Sequence, residues 1–223
     1  MTLSTSIRSF VRSRPPVEHP QIRRMNGYRE SFAPAQVSFP ATVLHDARVA
    51  RWVRARRLTV DVRSVAELHS AISVGIHPVL MTVHADELDG GGLRRASAAG
   101  VGRVVLSRPE QTRALRANHI HHVLLRMPDA ATDYSDHTAN AVLSCRSAAL
   151  IGLLCEVGGA DRCPATIGNM IAQMDQIRRR HNVVLTRLVL CVDDGVPAEE
   201  IDESIDDACA TMRFPRPSIA MVA

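Results

Sequence analysis

Eight short runs rich in Val, Ile and Leu, most of them followed by a segment with helical spacing, constrain this chain more than any other feature. They occupy residues 37–43, 58–62, 78–83, 103–106, 122–127, 149–157, 185–192 and 218–222. Continuous apolar runs, rather than alternating ones, suit buried parallel strands, whose two faces are both covered. Between the runs, residues 46–56 set Val49, Trp52 and Val53 on one helical face, with Arg48, Arg51 and Arg54 mostly off it. Ser64-Val65-Ala66-Glu67 has the form of a capping box, with Ser64 at the N-cap and Glu67 three residues on. Residues 93–99, 109–117, 167–181 and 198–212 continue the series of helices. Eight βα units predict an α/β fold, a single-domain (β/α)8 TIM-like barrel. A doubly wound open sheet is the competitor, but no Gly-x-Gly-x-x-Gly follows the first run, and Gly90-Gly91-Gly92 reads as a flexible loop. Residues 1–36, rich in Arg, Pro and Ser, read as an irregular arm outside the core, and residues 37–223 as the barrel domain.

A chain of 223 residues that is 46% hydrophobic can bury one full core. Its net charge of +4 is too small to point to a nucleic-acid or membrane-surface protein. The two basic clusters, Arg54 to Arg57 and Arg178 to His181, fall at predicted helix C-termini, where cations complement the helix dipole. No apolar stretch reaches the length of a membrane span and no apolar signal core opens the chain, so a cytoplasmic location is expected. The five cysteines, odd in number and without a Cys-x-x-Cys pair, read as reduced and mostly buried thiols. His119, His121 and His122 precede or open the fifth run and read as surface or loop histidines.

All 27 residues counted as Lys+Arg are arginine, so the chain has no side-chain primary amine. That restriction acquires a meaning from particular segments. Val49-Ala50-Arg51-Trp52-Val53 and the stretch from Leu58 to Leu68, together with 99–106, 122–126, 150–159 and 185–195, resemble the pyridoxal-phosphate barrel domain of diaminopimelate decarboxylases. More broadly they are similar to the alanine racemase and ornithine decarboxylase fold group. Where the first strand of that family ends in Tyr-Ala-x-Lys, this chain has Phe39-Pro40-Ala41-Thr42, which puts Thr42 at the Schiff-base position. A hydroxyl cannot condense with an aldehyde to an imine. The family's His-Gly-Asn-Asn-Lys becomes His84-Ala85-Asp86-Glu87-Leu88, keeping only the histidine. Its ring-holding His-x-His becomes Leu154-Cys155-Glu156, and its glycine phosphate loop becomes Val192-Asp193-Asp194-Gly195. Two carboxylates there would repel a phosphate dianion. The resemblance with these departures implies a pseudoenzyme, a decarboxylase-like barrel with no bound cofactor that acts as a binding or regulatory protein. The alternative is a barrel mouth reused for metal-assisted or cofactor-independent chemistry on an amino-acid-like ligand.

At the C-terminal ends of the predicted strands, the rim where barrels keep their chemistry, lie Thr42, Asp61, His84, Ser107, Arg126, Glu156, Asp193 and Asp194. Asp61 and Arg126 match positions the family also fills, so hydrogen bonding across the mouth is expected of them. His84 stays open between a structural and a catalytic role. Glu156, Asp193 and Asp194 are the candidates for a divalent metal, since hard cations take carboxylate oxygens. Asp193-Asp194-Gly195 is equally an acidic turn, and no metal is expected. The chain ends about where the family's Glu-Pro-Gly-Arg begins, which implies no β-rich C-terminal domain and no helix after the eighth strand. The apolar surface so uncovered predicts a homo-oligomer, or a hetero-oligomer with an active homologue.

Overall fold

Each of the eight predicted runs forms a strand. The computed structural model describes residues 22–23, 26–28, 36–116, 119–127, 132–192 and 196–222, the side chains of 132–135 excepted. The strands are β1 (Gln36–Pro40), β2 (Thr59–Val62), β3 (Met81–His84), β4 (Arg103–Leu106), β5 (His121–Arg126), β6 (Ala148–Val157), β7 (Arg187–Val192) and β8 (Ser218–Val222). All neighbours pair in parallel, and β8 returns to β1, closing a barrel in chain order. The helices are α1 (Ala47–Ala55), α2 (Val65–Ser73), α3 (Gly90–Ala99), α4 (Thr132–Leu143), α5 (Cys163–His181) and α6 (Ala198–Met212). This is the (β/α)8 barrel that the spacing predicts.

Partners in a parallel ladder share a face, so the register separates two apolar layers. Val105, Leu124, Leu154, Val189, Ala220 and Val222 point inward and fill the middle of the barrel. The residues between them, such as Val104, Val123, Leu153, Leu188 and Met221, face outward and join the core under the helices. Strands covered on both faces are why the sequence reads as continuous apolar runs.

Local chemistry starts the helices. Asp46 caps α1 by accepting from the Arg48 N–H at 2.7 Å, and Ser64 caps α2 by accepting from the Glu67 N–H at 3.1 Å. The Glu67 carboxylate reaches one residue beyond the expected capping box, to the Arg63 N–H at 2.7 Å. The basic ends are tied down as well. Arg179 pairs with Asp175 at 2.6 Å within α5, while Arg180 and His181 reach Asp136 of α4 at 2.8 and 3.0 Å.

Several expectations are corrected. Gly90-Gly91-Gly92 is the first turn of α3, not a loop, and Asp89 caps it through the Gly92 N–H. A Cβ on residue 92 would lie 2.7 Å from Val65 Cγ2 and 3.0 Å from Leu88 Cδ2, so the missing side chain lets α3 settle against α2. The helix expected over 109–117 is a 3-10 segment, Pro109–Ala114, and α4 was not foreseen. The boundary at residue 36 coincides with the start of β1, yet Ile22 and Tyr28 from the expected arm are buried in the core, and the Tyr28 hydroxyl donates to the Val196 carbonyl at 3.1 Å. The remaining arm residues lie outside the described ones. His121 is wholly buried rather than on the surface, because β5 begins at it and turns it outward beneath α3. All five cysteines are free. Among the described residues, no helix is long and apolar enough to cross a membrane.

Candidate functional site

Three predicted rim residues converge at the C-terminal mouth. Asp61 on β2, His84 on β3 and Arg126 on β5 face inward, in register with Thr82, Val105 and Leu154 respectively. Asp61 and His84 are each 1% exposed. The His84 Nε2 stands 3.4 Å from Asp61 Oδ1, and an Arg126 guanidinium nitrogen stands 3.1 Å from His84 Nδ1. A guanidinium only donates, so Nδ1 must accept, which leaves the ring proton on Nε2 aimed at the carboxylate. The mouth is therefore crossed by a directed chain from Arg126 through His84 to Asp61. Glu87, on the 3-10 turn after β3, lies 3.8 Å from Arg126, and Glu156 at the end of β6 lies 4.0 Å from it. With Glu156 67% exposed, water screens its pairing. Two atoms of the chain are buried without a partner, Asp61 Oδ2 and Arg126 Nε.

The other predicted residues fare differently. Thr42 lies past the end of β1, exposed on the 3-10 turn Ala41–His45, and is not brought into the chain of contacts. Ser107 serves its loop, donating to Asp86, which also accepts from Gln111 Nε2 at 2.9 Å. Asp193 and Asp194 lie outside the described residues. Among those described, no group of three or more His, Cys, Asp or Glu side chains gathers as a metal would require.

Sequence reasoning missed two features. Cys191 lines up with Glu156 and Val222 and so faces the mouth; burial, and then the Asp61 charge, push its thiol up to about 12. It is a protonated, unreactive thiol at neutral pH. Strand parity was its signal, since 187, 189 and 191 alternate inward along β7. The second is a groove of about 390 Å³ beside the mouth, between the connections after β3 and β4, lined by Leu88, Arg94, Arg108, Gln111 and Arg113 among others. No pattern in the sequence marks it.

A closed parallel barrel with its polar groups at the C-terminal rim belongs to the class of barrels that bind and react there. Residues 20–148 match the family described as pyridoxal-dependent decarboxylase, pyridoxal binding domain, and the chain belongs to that family. A diaminopimelate decarboxylase of Actinosynnema pretiosum subsp. auranticum is 34% identical over 94 residues, which are 42% of this chain and 22% of that one. The lysine/ornithine decarboxylase of Vibrio vulnificus complexed with putrescine superposes with a TM-score of 0.72 at 14% identity, over 90% of this chain and 59% of that one. The diaminopimelate decarboxylase of M. jannaschii in co-complex with L-lysine gives 0.71 at 10% identity, over 88% and 57%. At these identities the structural likeness is one of fold. The chain spans little more than half the length of those structures.

The residues of this mouth do not fit pyridoxal phosphate held as the family holds it. No lysine exists to form the imine, and Thr42 stands exposed at the matching position. His84 already uses both ring nitrogens within the protein. Glu87 and Glu156 add negative charge beside Arg126, which disfavours a phosphate dianion.

Proposed function

We propose that this chain is a non-catalytic member of the decarboxylase barrel family that works by binding or regulatory contact, with itself or with an active homologue. The carrying observation is that none of its 223 residues is a lysine, while Thr42 takes the Schiff-base position. The engagement of His84 by Asp61 and Arg126 supports the same reading, because the retained histidine already has a structural use. Four large apolar side chains, Ile72, Val79, Ile120 and Val184, are 40% exposed or more and all sit near the N-terminal end of the barrel, which supports a contact role for that end. Incubation with pyridoxal phosphate, borohydride reduction and intact-mass analysis test the proposal. No added pyridoxyl mass is expected, and a reduced adduct on a barrel side chain overturns it.

A second reading rests on Asp61 Oδ2 and Arg126 Nε, a buried acceptor and a buried donor that the protein leaves unpartnered. They suit the ammonium and carboxylate of an amino-acid-like ligand. A saturable rise in Tm with an amino acid, abolished in Asp61→Asn, would establish this reading. Indifference to amino acids and divalent cations would remove it.

A further inference from the structure

At the end of the barrel opposite the mouth, three strands open with long polar side chains: Gln36 begins β1, Arg103 begins β4 and Arg187 begins β7. These strands are not neighbours in the barrel. Yet Gln36 Oε1 accepts from an Arg103 guanidinium nitrogen at 3.2 Å and also from Arg187, so the three side chains meet across the barrel axis. One neutral carbonyl oxygen is all the two guanidiniums share. Among the described residues no carboxylate pairs with either arginine.

Like charges held together in a partly desolvated place raise the free energy of the folded protein unless a counter-charge enters. The electrostatics agree with the geometry. Burial pushes both guanidiniums below the usual arginine value, and the charge of Arg187 pushes Arg103 further, with Asp61 acting in the opposite sense. The site is also reachable. Both arginines are only half-buried, and none of the guanidinium nitrogens that Gln36 leaves free is sealed from solvent.

We propose that Arg103 and Arg187, turned toward one another by Gln36, form a binding site for a small oxyanion dianion of the phosphate type at the N-terminal mouth of the barrel. Two fixed positive charges match a dianion, and two planar forks of N–H donors match several oxygens on one centre. A monocarboxylate neutralises only one of the charges, and chloride offers no set of oxygens. Barrel chemistry sits at the other end. This site is therefore separate from the Asp61–His84–Arg126 chain, and its test does not depend on the proposal made for that end.

The experiment is a titration of the protein with inorganic phosphate at pH 7.5, at constant ionic strength held with sodium chloride and read as Tm. A saturable rise of several degrees is expected in the wild type. It should be lost in Arg103→Gln and in Arg187→Gln and retained in Arg95→Gln, which removes an exposed arginine on α3. Acetate in place of phosphate should give no rise. No phosphate response, an equal response in either floor variant, or an equal response to acetate overturns the proposal. Should the floor variants fail to fold, phosphorus-31 line broadening on the wild type, reversed by sulfate, decides. Absence of broadening overturns the proposal, and broadening that sulfate reverses upholds it.

Discussion

His121 lies on the outer face of β5, its Nε2 2.9 Å from the Ser97 hydroxyl of α3 and its ring edge-on to His119 at a centroid distance of 4.7 Å. Burial, then the neighbouring His119, hold its pKa below the ordinary histidine value of 6.5. The consequence for stability has a definite sign. Above pH 6.5 the ring is neutral in both folded and unfolded chains and contributes no pH dependence. Below it the unfolded chain takes up a proton that the folded ring resists, so stability falls on acidification, with a slope of at most about 1.4 kcal/mol per pH unit for one proton. Urea midpoints between pH 7.5 and 5.5 should therefore fall less in His121→Gln than in the wild type. Equal slopes would show that this ring is not the titrating group. The same scale holds a lesson about reading: periodicity placed β5 but its first residue decided which histidine faces the helices, and a one-residue difference in strand start exchanges the inward and outward sets.

Strands and helices meet at glycines that a local pattern cannot interpret. Gly152 on β6 is in register with Leu124 of β5 and with Arg187 of β7, and the β5–β6 register shifts just before Leu124. A Cβ at residue 152 would stand 2.0 Å from the Arg187 carbonyl oxygen, which is backbone and cannot swing aside. Gly152→Ala should therefore cost about 3 kcal/mol or more in chemical denaturation, at the upper end of overpacking effects. Gly158→Ala, where nothing lies within 4 Å, should stay within about 0.5 kcal/mol. A similar fall in both would mean that helix and strand propensity, rather than close approach, governs these positions. Helix α3 makes the same point from the other side. Three successive glycines argue against a helix on propensity alone, but the Asp89 cap and the contact of Gly92 with Val65 and Leu88 override it. Helix α4 went unseen because its apolar residues cluster near its C-terminal end, at Ala139, Val142 and Leu143, and draw no stripe.

For the whole molecule, the family match and the superposed decarboxylases define one barrel and little more than half of those longer chains. Contact between copies or with a homologue is part of the proposed function. The exposed Ile72, Val79, Ile120 and Val184 locate it at the N-terminal end. Light scattering at micromolar concentration should then give a mass that is a multiple of 24.4 kDa, and Ile120→Asp should bring it toward the single-chain value. A wild-type mass of one chain would remove self-association from the proposal. The Tm response to phosphate belongs to this scale as well, since its two arginines come from strands on different sides of the barrel.

By itself the sequence determined the barrel and the loss of the imine. Eight apolar runs and their spacing are local properties, and a chain without lysine lacks the amine whatever its fold. Tertiary structure decided the rest, for a geometric reason: closure of the barrel brings together side chains more than twenty residues apart. It joined Asp61 to His84 and His84 to Arg126, left Thr42 exposed beyond β1, turned Cys191 inward, and set Arg103 against Arg187 over Gln36. None of those neighbours is close in the chain, so no reading of spacing alone could have paired them.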